Sequence, residues 1–388
     1  MQGSNVPFRL VVTGGGSGGH TYPALAAVRS LRARLAAEGR ELRVVWAGSA
    51  GGLESRVAAD EDIPFRPIAT GKLRRARNPL RMITMTNIRD MARVPAGFWQ
   101  ACGLLREFRP DAVLATGGYA AVPVGLAAWL LRYPLVVHEQ TVRLGLANRL
   151  LARGATRMAV TSDSTVPLLP GRARASTVVT GNPVRPEVLG GHGEKAVAAL
   201  GWAGWTPGLP VVYVTGGAQG SAQVNSLVTG ILPWLLRGAN VVHQCGAQSV
   251  DAMNAAAAGL PADLAGRYLV TGFIGSELPD LLALTDVLVS RSGAGTLTEI
   301  TALGKASVLI PLASSAGNEQ WRGARQLAES QAAVALLDET TPDALRAALA
   351  PLLDDPARRE TIAANARALG RPRAAEALAD VVLAAAAR

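Results

Sequence analysis

Polar and apolar positions in this chain alternate in blocks rather than residue by residue. Short apolar runs such as Phe8 to Thr13, Leu42 to Trp46, Asp111 to Ala115, Pro210 to Thr215 and Asp286 to Ser290 each lead into a small-residue turn. Longer Ala/Leu-rich stretches of helical type separate them. Continuous apolar runs of this kind predict strands buried on both faces, and strands alternating with helices predict parallel sheets covered by helices. The fold class expected is therefore α/β. Gly181-Asn-Pro-Val-Arg185-Pro interrupts the pattern with two prolines and a glycine, which continue neither sheet nor helix. Beyond it, the strand Pro210 to Thr215 and the loop Gly216 to Ser221 restart the device that opens the chain. We expect two Rossmann-like domains facing a cleft: residues 1–183, rejoined by a last helix over 373–388, and residues 184–372.

Asp286 to Glu299, DVLVSRSGAGTLTE, carries the most specific chemistry. The strand breaks at Gly293 and Gly295, a helix is expected from Thr296, and Gly304 can end it. A strand, a glycine loop and a helix in that order leave the first helical N–H groups bare at the positive end of the dipole, where a phosphate is attracted. One turn further in, Glu299 can accept hydrogen bonds from two neighbouring hydroxyls, as a ribose offers. The same Thr296-x-x-Glu299 spacing is also a capping box, which needs no ligand, and the residues alone leave both readings open.

The first strand runs into GGGSGGH at 14–20, with a helix expected from Ala24 to about Glu38. Gly14, Gly16 and Gly19 fit the dinucleotide fingerprint, but the next strand ends in Ala47-Gly48-Ser49 without the acid that would hold a ribose. That argues against a dehydrogenase. The surplus glycines predict backbone lying against a bulky anion. His20 closes the loop and reads as a general base or as a loop hydrogen bond. Thr116-Gly-Gly-Tyr119 is a second glycine turn. Glu139, at the end of the strand from Leu135, reads as a positioner of an acceptor, as a base, or as the cap of the next helix.

Composition narrows the partners. The 388 residues are 49% hydrophobic and 18% charged, enough apolar content for large cores. Cys102 and Cys245 lie far apart with no metal-type spacing, and no Asp-x-Asp pair calls for a divalent ion, so neither metal nor cofactor is expected. Net charge is +10, which suits an anionic partner. The charge is concentrated over 72–95, where Lys72, Arg74, Arg75, Arg77, Arg81, Arg89 and Arg93 oppose only Asp90 and interleave with Leu80, Met82, Met85 and Met91. That pattern suits an anionic membrane surface, or else a solvated helix face over a core. Aromatics are only 4%, with no basic–aromatic interleaving, so no nucleic acid is expected. The longest apolar run, Tyr119 to Leu131, is broken by Pro123 and too short to span a bilayer. A peripheral protein on the cytoplasmic face of the plasma membrane is the expectation.

Seven motifs in series carry a resemblance: GGGSGGH at 14–20, GGY at 117–119, HEQ at 138–140, TGNPVR at 180–185, GGAQG at 216–220, RSGAGTLTE at 291–299 and NEQW at 318–321. In order and spacing they resemble the MurG family, bacterial transferases that move N-acetylglucosamine from UDP-N-acetylglucosamine to undecaprenyl-pyrophosphoryl-N-acetylmuramoyl-pentapeptide (lipid I). The resemblance implies a GT-B fold and an inverting, metal-independent transfer to the muramoyl 4-hydroxyl. It implies that Ala294, Gly295, Thr296, Leu297, Thr298 and Glu299 hold diphosphate and ribose, that Ile274 meets the uracil through its backbone, and that Arg185 and Gln320 bind phosphate and sugar. Thr141, Ala218 and Gln219 fall among the implied substrate contacts. Ser17, Gly18 and Gly19 would close on the sugar, with His20 or Glu139 as catalytic base. Gly15, Gly16, Gly117, Gly118 and Tyr119 would face the lipid pyrophosphate. Thr141 stands where the family has asparagine, Ala218 where it has serine, and Gly295 where it has leucine. The rival readings are a GT-B transferase acting on another lipid such as diacylglycerol, and a non-catalytic sensor of lipid or nucleotide.

Overall fold

The computed structural model describes residues 6–71, 84–312, 315 and 318–387, the side chain of Ile88 excepted. Half of the basic segment singled out above, residues 72–83, lies outside them. The chain divides into two units, Met1–Val184 with Arg373–Arg388, and Arg185–Pro372.

The first unit holds seven parallel strands: β1 (Phe8–Thr13), β2 (Leu42–Gly48), β3 (Phe65–Pro67), β4 (Ala112–Ala115), β5 (Leu135–Glu139), β6 (Arg157–Val160) and β7 (Thr177–Val179). Their order is β3-β2-β1-β4-β5-β6-β7, with Val12 beside Trp46 on one flank and Leu114 on the other. The central strands read as unbroken apolar runs because helices cover both faces. Leu10, Val12, Trp46 and Leu114 join Leu31 and Leu35 of the helix Gly18–Ala37 in one core. Val11, Val45, Val113 and Val137 join Leu105 and Val124 in the other. The last helix, Ala374–Ala386, seats Leu378 and Val382 fully buried in the first of these cores. Each such side chain contributes about 2 kcal/mol by leaving water.

The second unit repeats the plan with β8 (Val211–Thr215), β9 (Asn240–Gln244), β10 (Tyr268–Thr271), β11 (Val287–Ser290), β12 (Ala306–Leu309) and β13 (Val334–Ala335), ordered β10-β9-β8-β11-β12-β13. In both sheets the strand order reverses between the first and fourth strands. Connections there leave in opposite directions and open a crevice at the strands' carboxyl ends, where α/β sheets bind ligands. The glycine loops after β1 and β4, and those after β8 and β11, all lie at such reversals.

Three local expectations change. The opening helix starts at Gly18 rather than Ala24, because Gly18, Gly19 and Pro23 disguise its first turns. β3 and β13 escape a periodicity reading: one has three residues and ends in proline, the other has two. The helix after β11 begins at Ala294, not Thr296.

Each sheet buries one histidine. His138 on β5 and His243 on β9 are both fully buried. Burial holds each near a pKa of about 4, below the ordinary 6.5. Between those values the unfolded chain binds protons that the folded chain refuses. Stability is thus complete above about pH 6.5 and falls as pH drops toward 4. The loss expected at pH 5 is on the order of 2 kcal/mol per histidine. Thermal melts at pH 7 and pH 5 check this: Tm should fall on acidification, less so in a His243→Gln chain. A drop of the same size in both chains would remove His243 from the account.

Candidate functional site

At the reversal of the first sheet, the ring of His20 is fixed by a chain of hydrogen bonds that begins at the far side of β5. His138 Nε2 lies 3.1 Å from the Gly181 carbonyl and so donates to it. His138 Nδ1 is then an acceptor, taken by Gln140 Nε2 at 3.0 Å, which also donates to the Thr116 carbonyl at 2.7 Å. Those two acceptors fix the Gln140 amide with Oε1 turned to His20 Nδ1, 2.9 Å away. His20 Nδ1 also lies 2.9 Å from the Thr116 carbonyl. Facing two acceptors, Nδ1 of the neutral ring must carry the hydrogen, and Nε2 keeps its lone pair. Nε2 has no partner among the described residues, and the ring is only part-buried. A residue so held can take a proton from a hydroxyl.

Glu139, the other candidate base, is corrected. Its side chain is nearly buried, and its carboxylate accepts from Thr141 N at 3.0 Å, Thr141 Oγ1 at 2.8 Å, Gly145 N at 2.9 Å and Asn148 Nδ2 at 3.0 Å. Three N–H donors and a Thr141 hydroxyl shared with the Arg143 carbonyl crowd its oxygens, so it organises the turn into the helix Leu146–Leu151 and offers little room for a substrate proton. The Thr141 hydroxyl is turned inward with it and also reaches the Arg143 carbonyl.

The glycines of the first loop are corrected in part. The anion against Gly15 and Gly16 is the protein's own. Glu54 is fully buried, and its carboxylate accepts from Gly16 N and from Ser49 N, both at 3.1 Å. A Cβ at Gly15 would come within 2.2 Å of that carboxyl carbon. Gly15 N is turned to the Gly117 carbonyl. Gly118 must be glycine for another reason: its φ is +78°, and a Cβ there would sit 2.2 Å from the Gly15 carbonyl. A Cβ at Gly16 would likewise come within 2.7 Å of the Tyr119 ring. What the loop leaves outward is Gly16 and Ser17, both exposed, and the half-buried Gly18 and Gly19 at the bare start of the helix.

At the reversal of the second sheet, Ser290 ends β11 beside Thr215 of β8 and Leu309 of β12. The helix Ala294–Leu303 follows, capped by Gly293 with no side-chain hydrogen bond. The capping-box reading of Thr296 and Glu299 is therefore wrong, because Thr296 already lies inside the first turn. Glu299 instead accepts from Arg185 Nη2 at 3.2 Å, across 114 residues. Burial pushes the Glu299 carboxyl up and Arg185 pulls it back. A Cβ at Gly293 or Gly295 would meet nothing within 4 Å, and neither glycine has a positive φ. Neither packing nor backbone geometry requires glycine there, so the space above the helix start stays open.

Other singled-out residues gather round this helix. Gln320 accepts from Leu312 N at 3.0 Å through Oε1, and its carbonyl accepts from the Ser292 hydroxyl at 2.8 Å, tying the helix Glu319–Glu329 to the loop. Ile274 N donates to Gln244 Oε1 at 3.0 Å. Ala218 and Gln219 are exposed after β8. The Thr298 hydroxyl donates back to the Ala294 carbonyl, and Leu297 reaches Gly323 of the helix Glu319–Glu329.

Sequence reasoning missed several residues. Gln140 and His138 stood inside a motif without a role. Glu54, Gln244 and Arg291 went unnoticed, and so did Phe273, 63% exposed beside Ile274. Arg291 follows β11 with its Nε buried and without a partner among the described residues. Such buried networks have no one-dimensional signature, although Arg291 lay next to the glycine loop and its charge there was legible.

The chain matches the Glycosyltransferase family 28 N-terminal domain over residues 10–160 and the Glycosyltransferase family 28 C-terminal domain over residues 211–378. It is 35% identical over 381 residues to the UDP-N-acetylglucosamine--N-acetylmuramyl-(pentapeptide) pyrophosphoryl-undecaprenol N-acetylglucosamine transferase of Desulforudis audaxviator, covering 97% of this chain and 98% of that protein. The transferase of the same name from Listeria monocytogenes is 34% identical over 97% of this chain and 99% of its own length. The crystal structure of Acinetobacter baumannii MurG superposes with a TM-score of 0.75 at 27% identity, covering 97% of this chain and all of that one.

Proposed function

The chain belongs to glycosyltransferase family 28 and has the GT-B fold, and on that premise we propose that it moves N-acetylglucosamine from UDP-N-acetylglucosamine to the muramoyl 4-hydroxyl of lipid I. The product would be lipid II, a precursor of peptidoglycan. The observation that carries the donor half is the open helix start at Ala294, with Glu299 and Arg185 paired one turn further in. Bare amides at the positive end of the helix suit the diphosphate, and the carboxylate suits the ribose hydroxyls. The Ile274 carbonyl and the exposed Phe273 ring offer an edge and a face to the uracil.

In the transfer, the acceptor oxygen attacks C1 and gives its proton to His20 Nε2. The bond from C1 to the diphosphate breaks, and its electron pair leaves with UDP. The new charge develops on oxygens next to the amides of residues 294–296, which stabilise it without moving. Attack opposite the leaving group inverts the anomeric centre. Ser17, Gly18 and Gly19 are proposed to close on the sugar, and the acceptor pyrophosphate to meet the exposed Gly16 and the turn Gly117 to Tyr119. Beneath that loop the buried Gly15 packs on the Glu54 carboxylate, which also accepts from Gly16 N.

A docking role for 72–95 on an anionic membrane surface, at its cytoplasmic face, is part of the same proposal. Its described end supports it: Met85 is 83% exposed and Met91 44%, with Arg89 and Arg93 exposed between and after them. Among the described residues no helix is long and apolar enough to cross a membrane. The relatives lend no support to diacylglycerol as acceptor. Incubation with UDP-N-acetylglucosamine and a lipid I analogue tests the proposal. A β-1,4-linked disaccharide lipid and UDP are expected. Transfer to diacylglycerol alone, or donor binding without turnover, would overturn it.

A further inference from the structure

The opposite edge of the first sheet carries a second site of different chemistry. A pocket of about 490 Å³ opens there, lined by Arg132, Arg153, Arg157 and Arg172 and by Trp129 and Tyr133. These residues lie just before the starts of β5, β6 and β7, whereas the glycine loops follow strand ends. About 15 Å of strand separates the two edges. The pocket therefore belongs to neither half of the transfer site.

Its charge is unbalanced. No acidic side chain lines it. Among the described residues, none of the four guanidinium groups makes an ion pair or a hydrogen bond. Neighbouring Arg174 behaves differently and donates to the Pro167 and Leu169 carbonyls. Like charges gathered in a concave, partly apolar setting repel one another and focus a positive potential, which an anion relieves. Guanidinium forks match phosphate oxygens in geometry. The aromatic wall is built rather than incidental. Gly154 lets the Trp129 indole lie on its backbone, since a Cβ there would be 2.2 Å from the ring, and the ring stays 44% exposed. The volume is within the roughly 300–1,000 Å³ of ligand pockets and exceeds what a lone phosphate fills.

We infer that this pocket binds a phosphorylated molecule of nucleotide size, its phosphates on the arginines and its planar or apolar part on Trp129. The phosphate can come from a soluble ester or from a lipid headgroup. The inference does not rest on the proposed transfer reaction.

The test uses the full chain with UDP at saturation, so that any donor site is filled. ATP, inorganic pyrophosphate and phosphatidylglycerol vesicles are titrated against the wild type, an Arg132→Gln/Arg157→Gln chain and a Trp129→Leu chain. Equal melting temperatures establish that all three are folded, and Arg172→Gln stands in for any chain that is not. The wild type is expected to bind ATP at least ten-fold more tightly than the double variant, with affinity falling as salt rises. Trp129→Leu should weaken ATP but spare pyrophosphate. Arginine-dependent binding of the vesicles alone would keep the phosphate site and assign its source to lipid. Equal binding of all three probes by the wild type and the arginine variants would overturn the inference. So would loss of ATP binding when UDP is present.

Discussion

A His20→Ala chain is expected to lose turnover by about 10²–10⁴-fold, while its affinity for UDP-N-acetylglucosamine changes by no more than about two-fold. The size follows from what the ring does. The acceptor hydroxyl is a poor nucleophile until its proton is taken, and Nε2 of His20 is the lone pair the first sheet leaves available. The split between turnover and affinity follows from where the ring sits. It is held from behind by Thr116 and Gln140, both in the first unit, whereas the helix start proposed to receive the diphosphate belongs to the second. Steady-state kcat and a separate donor titration make the comparison. Near-normal turnover would hand proton removal to solvent or to Glu139, whose oxygens already accept from Thr141, Gly145 and Asn148.

Removing the carboxylate of Glu299 should act on the other quantity. A hydrogen bond to a charged group contributes about 1.5–3 kcal/mol, so losing even one of the two to ribose should make Glu299→Ala weaken binding of UDP and UDP-N-acetylglucosamine by at least about 10–100-fold. Folding should be nearly indifferent. The Glu299–Arg185 pair has side chains 22% and 38% exposed, and partly exposed pairs of this kind are worth about 0–1 kcal/mol. Calorimetric titration with UDP, beside a thermal melt, separates the two effects. An unchanged UDP affinity would reduce Glu299 to a structural partner of Arg185.

How much of this was readable in one dimension depended on the kind of order involved. The central strands were legible because parallel strands buried on both faces must be apolar throughout. Val11, Val12 and Leu114 announce themselves, whereas β3, ending in Pro67, does not. The glycine loops were legible as punctuation, but their reasons were not. Gly293 and Gly295 leave open space, while Gly15 makes room for Glu54, a carboxylate in a short helix 39 residues on. His20 was found from its place after a strand. Its tautomer was not, since that is set by Gln140, His138 and the carbonyl of Gly181, which meet only in the folded sheet. Glu139 misled for the same reason: its donors are a turn and a helix start that exist only once the chain bends back. The arginines at 132, 153, 157 and 172 are spread over forty residues and look like ordinary surface until the parallel register gathers their strand starts at one edge.

The whole account turns on where the uridine diphosphate sits. A crystal structure of the chain soaked with UDP addresses it most directly. The diphosphate should lie within hydrogen-bonding distance of the amides of residues 294–296, with both ribose hydroxyls on Glu299. Uridine bound at another edge of the second sheet, with the turn from Gly293 to Thr296 empty, would contradict the account.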